Sequence, residues 1–159
     1  RSGPRICVCE RMYWTYNIYT EMVEVTMEKK QLMDLAKEAR EHAYVPYSQF
    51  KVGAAVLTKD GRTFTGCNIE NSSYPLTNCA ERTAIFKAVS EGATEIEAIA
   101  IIGNTTGPIS PCGACRQVMI EFSDANTPVY LTNLQGEVEE TTVSALLPGA
   151  FTKEDLHGK

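Results

Sequence analysis

The sequence predicts an α/β fold of three layers, α/β/α, in which helices cover both faces of a central mixed sheet of five strands. Three observations carry this prediction. An amphipathic helical repeat is followed by two short apolar runs joined by a turn. Helical and strand-like segments then alternate, as in connections between parallel strands. Residues 96–102 are apolar almost without a break, which is typical of a strand covered on both faces.

The first elements follow from local patterns. Residues 28–43 carry apolar side chains at helical spacing between charged ones, which predicts an amphipathic surface helix. Pro46 ends this pattern, because the residue before a proline disfavours helical geometry. Residues 52–57 form a predicted buried strand, and 63–68 form its antiparallel partner across a hairpin turn at 59–62. This hairpin opens the sheet.

The second half begins after a polar loop at 70–78. Gly92 is a natural stop for the helix that follows this loop, since glycine adopts the left-handed conformation that closes helices. Helices and strands then alternate to the end of the chain, where a charged tail follows. They are predicted in the order helix 79–91, strand 96–102, helix 111–122, strand 128–131, strand 138–142 and short helix 144–147.

Length and charge restrict the possible functions. The 159 residues suit one domain, and 20 acidic against 15 basic residues give a formal net charge of −5. No run of Lys and Arg is present that would follow a nucleic-acid backbone, so polymeric DNA or RNA is not an expected partner. No apolar segment approaches the roughly 20 residues needed to cross a bilayer, and no secretory signal is recognisable. A cytoplasmic protein with reduced thiols is expected.

The first 26 residues differ in character from the rest. They do not begin with Met, and their aromatic residues cluster without a period. We interpret 1–26 as an added N-terminal extension and Met27 as the natural start of a domain over 27–159. The alternative is an N-terminal arm that docks on a neighbouring molecule.

Two cysteine runs provide the chemistry, and both fall at predicted helix starts. Cys79 and Glu81 lie in the first run, whereas Cys112 and Cys115 lie in the second, three residues apart and so on one face of a helical turn. Helix N-termini favour thiolates. Three thiolates bind zinc and leave a fourth position open, as in catalytic rather than structural sites. Glu81 is then the expected general base and acid.

Other interpretations of the cysteines remain. The pair Cys112 and Cys115 is also consistent with a redox dithiol, and all three thiols with a zinc-stabilised binding module. Neither alternative gives a role to Glu81, and the redox alternative also leaves Cys79 without one. Cys67 lies in a predicted strand and is expected to be a small core residue.

Longer motifs resemble a known family, the zinc-dependent nucleobase and nucleoside deaminases. The similarity is to the small, homotetrameric cytidine deaminases that use three cysteines, and it covers essentially 27–159. It is carried by four segments, at 44–55, 66–71, 79–84 and 110–117. The resemblance implies one Zn²⁺ per subunit on Cys79, Cys112 and Cys115. It also implies hydrolysis of cytidine and 2′-deoxycytidine to uridine and 2′-deoxyuridine with release of ammonia, a step of pyrimidine salvage, with Glu81 moving the protons.

The resemblance also implies how substrate is held. Asn68 and Glu70 match the residues that bind ribose, and Phe50 matches the aromatic residue that packs on the pyrimidine. The backbone N–H of Ala80 would bind O2 of the base. Arg82 would hydrogen-bond the thiolates and offset the net charge of about −1 that three thiolates leave on one zinc ion.

Two further matches imply an assembly. Tyr74 and Phe151 correspond to residues that members of the family supply to a neighbouring subunit's pocket, which predicts a homotetramer with composite active sites. The main alternative within this chemistry is a deaminase of a cytosine nucleoside antibiotic of the blasticidin S type, which shares the zinc core. Residues 68–71 favour the nucleoside enzyme.

Overall fold

The computed structural model describes residues 27–158, so the predictions for residues 1–26 lie outside the described part. It contains a helix, a hairpin and then alternating helices and strands, as predicted. The elements are α1 (Lys29–Arg40), β1 (Val52–Thr58), β2 (Thr63–Cys67), a 3-10 helix (Tyr74–Leu76), α2 (Ala80–Ser90), β3 (Ile96–Gly103), α3 (Gly113–Phe122), β4 (Pro128–Asn133), β5 (Val138–Thr142), α4 (Val143–Leu146) and α5 (Lys153–His157). Among the described helices, none combines the length and the apolarity needed to span a membrane.

The five strands form one mixed sheet in the order β2-β1-β3-β4-β5. β3 and β4 are parallel, whereas the other neighbouring pairs are antiparallel. Val52 pairs with Gly103 and Gly103 pairs with Asn133, so the start of β1 and the ends of β3 and β4 share one edge of the sheet. The hairpin turn between β1 and β2 lies at the opposite edge. The predicted mixed five-stranded sheet is confirmed.

Helices cover the two faces of this sheet, which gives the predicted three layers. On one face, α1 packs through Leu32 and Ala36 against small side chains of the central strands. On the other face, α2 and α3 enclose the larger apolar cluster. Its fully buried larger side chains are Val56, Ile85, Ile96, Ile99, Ile101, Met119, Val129 and Val143. In β3 only Glu97 is exposed, as its unbroken apolar pattern predicted.

α2 lies very close to β2 because Gly66 has no side chain. A Cβ at Gly66 would lie 2.5 Å from the carbonyl oxygen of Ala80 and 2.5 Å from the backbone nitrogen of Ala84. Both contacts are with backbone, which cannot move aside cheaply. This close approach fixes the start of α2, and therefore Cys79, against the sheet.

Gly66→Ala is expected to lower the free energy of unfolding by roughly 1–3 kcal/mol, because it forces α2 away from β2. The measurement is urea unfolding followed by circular dichroism. Gly107→Ala is the matched control, since a Cβ at Gly107 meets nothing within 4 Å and should change stability little. Equal stability of the two variants would contradict this description of the packing.

Two short elements differ from the prediction. Tyr74–Leu76 forms a 3-10 helix within the predicted loop, and Lys153–His157 forms a helix within the predicted charged tail. The second is capped by Thr152 and Asp155, which bond each other's backbone in a capping box. Both elements are too short to show a hydrophobic period, which is why the pattern did not predict them.

Candidate functional site

Two helix starts bring three thiols together at the edge of the sheet where β3 ends. Cys79 is the N-cap of α2 and Cys112 is the N-cap of α3, while Cys115 lies buried in the first turn of α3. The Sγ atoms of Cys79 and Cys112 are 3.9 Å apart, and all three Sγ atoms lie within 4.8 Å of one another. All four cysteines in the described part, these three and Cys67, are free thiols.

This geometry fits zinc. Two sulfur ligands at the usual bond length of about 2.3 Å and a tetrahedral angle lie roughly 3.8 Å apart. The 3.9 Å separation of Cys79 and Cys112 matches that value, and Cys115 Sγ lies within 4.8 Å of both. Three soft ligands without a fourth leave one position for another molecule, as in catalytic centres.

The pKa values of Cys79 and Cys115 are shifted in opposite directions. Hydrogen bonding from the Cys115 thiol, followed by contact with Arg82 and Cys112, lowers the pKa of Cys79 to about 5. The same hydrogen bond with Cys79, together with burial and the charge of Glu81, raises the pKa of Cys115. Between Cys79 and Cys115, the negative charge therefore lies on Cys79.

Arg82 contacts this charge from the first turn of α2. Its Nη2 donates to Cys79 Sγ at 3.6 Å and to the carbonyl oxygen of Thr77 at 3.4 Å. Its Nε is buried and has no hydrogen-bond partner among residues 27–158. Hydrogen bonding with the Cys79 thiolate raises the pKa of Arg82, so the guanidinium stays charged beside the thiols.

Glu81 is the buried carboxyl group of the site. It lies two residues after Cys79 in α2 and is 4% exposed. Burial is the main cause that raises its pKa, and the neighbouring Cys79 charge adds to the effect. A carboxyl group that takes up a proton readily next to a metal centre suits proton transfer.

The side chain of Asn68 holds a short loop, residues 46–50, beside the thiols. Its Oδ1 accepts from the backbone N–H of Val52 at 2.9 Å, and its Nδ2 donates to the carbonyl oxygen of Phe50 at 2.8 Å. Asn68 therefore joins the end of β2 to the chain segment that enters β1. Phe50, the predicted base-packing residue, is 38% exposed at this position.

Glu70 holds the same loop further along. Its carboxylate accepts from the backbone N–H of Tyr47 at 2.9 Å and of Ser48 at 3.2 Å. Hydrogen bonding from the Ser48 side chain, followed by these backbone bonds, lowers the pKa of Glu70. Within the loop Gln49 has a φ of 58°, the left-handed region that costs a non-glycine residue energy. The two polar side chains thus fix a strained turn that presents Phe50.

A groove of about 300 Å³ opens beside Glu70. Tyr47 and Tyr74, whose ring centroids are 5.7 Å apart, line it together with Thr77. The carbonyl oxygen of Thr77 also accepts from Arg82, which in turn contacts the Cys79 thiol. A larger cavity of about 620 Å³ lies between α3, α4 and the C-terminal segment, and none of the predicted site residues lines it.

The remaining predicted residues occupy different places. Ala80 is fully buried at the first position of α2, where a backbone N–H has no acceptor within the helix. Tyr74 is 69% exposed and Phe151 is 58% exposed. Phe151 lies in the C-terminal segment, and its carbonyl oxygen accepts from Gln117 Nε2 at 2.7 Å.

Sequence reasoning assigned no role to Arg116 or Thr77. The structure places Arg116 directly after Cys115 and shows that its side chain bonds the loop that leads to Cys112. Its position beside a predicted ligand was a usable signal. The contact of Thr77 with Arg82 is made by a backbone carbonyl oxygen, which no residue type reveals.

Comparison with known proteins adds independent findings. Residues 26–131 match the family model described as the cytidine and deoxycytidylate deaminase zinc-binding region. A cytidine deaminase of Sporosarcina psychrophila is 62% identical over 130 residues, which cover 82% of this chain and 96% of that protein.

Two other similarities concern the fold and the alternative substrate. A crystal structure of cytidine deaminase from Burkholderia pseudomallei is 57% identical and has a TM-score of 0.77, covering 79% of this chain and all of that one. A blasticidin-S deaminase of Bacillus cereus is more distant, at 30% identity over 150 residues, covering 87% of this chain and 98% of that protein.

Proposed function

The chain belongs to the cytidine and deoxycytidylate deaminase family, and we propose that Glu81 and its three-thiol centre deaminate cytidine and 2′-deoxycytidine. The enzyme is a zinc-dependent cytidine deaminase. In the reaction, water adds at C4 of the pyrimidine, the bond from C4 to the amino nitrogen breaks, and uridine and ammonia leave. The observation that carries the proposal is the meeting of three thiols and one buried carboxyl group at two helix starts.

In this proposal the zinc ligands are Cys79, Cys112 and Cys115. When bound, the metal supplies Lewis-acid activation of water. The chain supplies the geometry, because two helix starts and the close packing of α2 on Gly66 hold the thiols before a metal enters. The helix N-termini also favour the thiolate forms that bind metal.

Glu81 is proposed to carry the protons. Hydrolysis requires one proton to reach N3 of the base and another to reach the departing amino group. A carboxyl group fixed in the first turn of α2, two residues from a metal ligand and 4% exposed, is held in one position and shielded from bulk water. Its carboxylate accepts a proton from water and passes it to the nitrogen atoms of the base.

The loop beside the thiols is proposed to hold the nucleoside. Asn68 keeps a second amide hydrogen, and Glu70 keeps unused lone pairs, after making their bonds to the loop backbone. Both groups therefore remain available to sugar hydroxyls. Phe50 packs on the pyrimidine, and the backbone N–H of Ala80 binds its O2. Supporting this assignment, the groove beside Glu70 has about the volume of a small ligand site.

The assembly is proposed to be a homotetramer in the cytoplasm, with active sites shared between subunits. Tyr74 and Phe151 would each contribute an aromatic ring to a neighbouring subunit's pocket. Their exposure in a single chain supports this assignment, since large aromatic rings at interfaces are exposed until the partner binds.

The experiment that tests the function is a substrate comparison with purified enzyme. Loss of absorbance is followed for cytidine, 2′-deoxycytidine and blasticidin S at equal concentrations, and zinc is measured in the same preparation. We expect about one zinc per subunit and turnover of both nucleosides at rates well above that of blasticidin S. Turnover of blasticidin S alone would move the assignment to the antibiotic enzyme.

Arg82→Ala is expected to keep part of the zinc and to lower kcat roughly 10–100-fold, the usual effect of losing a partner of a metal ligand. Without the guanidinium, the negative charge of the thiolates is not offset, and this charge disfavours loss of a further proton at the metal centre. The acidic limb of the profile of kcat against pH should therefore move to higher pH. Arg82→Lys retains a charge and should recover part of the activity. A wild-type turnover number and pH profile for Arg82→Ala would contradict this role.

A further inference from the structure

The side chain of Arg116 makes three hydrogen bonds in one fork. Its Nε donates to the carbonyl oxygen of Pro111 at 2.8 Å, its Nη2 to the hydroxyl of Ser110 at 2.7 Å, and its Nη1 to the carbonyl oxygen of Leu146 at 2.7 Å. The rigid guanidinium fork suits such simultaneous contacts. Two of the three acceptors lie in the segment that leads directly to Cys112.

This pattern connects two of the thiols. Arg116 follows Cys115, and its backbone N–H donates to the carbonyl oxygen of Cys112 at 3.0 Å in the first turn of α3. Its side chain then returns to Pro111, the residue before Cys112. The backbone bond and the side-chain bond therefore both connect Arg116 to the chain at residues 111–112. Cys112 needs such support because it is exposed, whereas Cys115 is buried in the core.

The geometry points to Arg116 as a positioning residue of the zinc centre: we propose that it holds Cys112 at the correct distance from Cys115 before the metal binds. The inference rests on the proposed zinc ligation by these thiols and goes beyond it. It differs from the role of Arg82, which contacts a thiol directly. Arg116 acts on the backbone that precedes a ligand.

The competing explanation is that Arg116 only anchors the C-terminal segment through Leu146. The next residue offers a matched control for this explanation. Gln117 also holds the C-terminal segment, by donating to the carbonyl oxygen of Phe151 at 2.7 Å. Within residues 27–158 its side-chain hydrogen bond is to that segment, so Gln117→Ala weakens the same anchoring while leaving the bonds to residues 110–111 in place.

The test is zinc affinity, measured by competition with the chromogenic chelator 4-(2-pyridylazo)resorcinol. Arg116→Ala is expected to weaken zinc binding roughly 10–100-fold, as is usual when the support of a metal ligand is removed. Ser110→Ala removes a single bond of the fork and should weaken binding about threefold. Gln117→Ala should bind zinc as the wild type does. So should Arg62→Ala, which removes an arginine that bonds the carbonyl oxygen of Glu91 from the opposite edge of the sheet.

Several outcomes overturn the proposal. Wild-type zinc affinity in Arg116→Ala would do so, and so would equal weakening in Gln117→Ala, because the effect would then come from the C-terminal segment. If Arg116→Ala does not fold, Ser110→Ala decides, and unchanged zinc affinity in that variant overturns the proposal. The readout needs no substrate, so an enzyme that binds zinc but leaves cytidine unchanged would defeat the proposed function without affecting this comparison.

Discussion

Glu81→Gln is expected to retain zinc and to lower kcat for cytidine by roughly 10²–10⁴-fold, the range that general acid–base groups contribute. The amide has nearly the same shape as the carboxyl group, so the three thiols should keep their positions. It cannot accept the proton that must move from water to the base. Because Glu81 is 4% exposed, bulk water does not readily replace it.

The measurement is steady-state deamination together with zinc content. Glu97→Gln is the matched control, since Glu97 is the exposed residue of β3 and should keep wild-type kcat. Loss of zinc in Glu81→Gln would mean that the carboxyl group of Glu81 is needed for metal binding rather than for proton transfer. Zinc retention with undiminished kcat would remove Glu81 from the mechanism.

Co-expression of two impaired variants is expected to give more activity than either variant alone if Phe151 serves a neighbouring subunit. Phe151→Ala should lower kcat/KM at least about tenfold through loss of an aromatic contact. Subunits carrying Glu81→Gln still offer an intact Phe151, and subunits carrying Phe151→Ala still offer an intact Glu81. With random assembly of equal amounts, about a quarter of the sites combine both intact residues.

The measurement is deamination by the two variants after co-expression, compared with each variant alone. The control mixture combines Glu81→Gln with Cys112→Ala. Glu81 and Cys112 of one metal centre belong to the same subunit, so every site in this mixture still carries one of the two substitutions and no activity should return. Activity recovered in the control mixture, none in the test mixture, or a fully active monomer on gel filtration would each contradict a composite site.

The sequence predicted the layers and the positions of the thiols well, for clear physical reasons. Apolar periodicity over two or more turns identified α1 and α2, and the unbroken apolar run identified β3. The two cysteine runs lie at helix starts, as expected, with Cys79 and Cys112 as N-caps. These features depend on local residue order and can therefore be recognised from the amino-acid sequence alone.

Other features of the site depend on contacts that local patterns do not encode. Asn68 and Glu70 bond the backbone of a loop about 20 residues earlier in the chain, and this second role follows only from the fold. The bond from Arg116 to Leu146 spans 30 residues. The residue type shows that such a side chain can form hydrogen bonds. Its hydrogen-bond partner depends on how the strands and helices pack.

The central claim is that three thiols hold a zinc ion against which Glu81 and the loop at 46–50 place a nucleoside. The most direct test is a crystal structure with a bound pyrimidine nucleoside analogue, measured at the zinc absorption edge. We expect one anomalous peak per subunit among Cys79, Cys112 and Cys115, with the carboxyl group of Glu81 against the base and Asn68 and Glu70 on the sugar. A zinc peak on other residues, or an analogue bound away from Glu81, would contradict the claim.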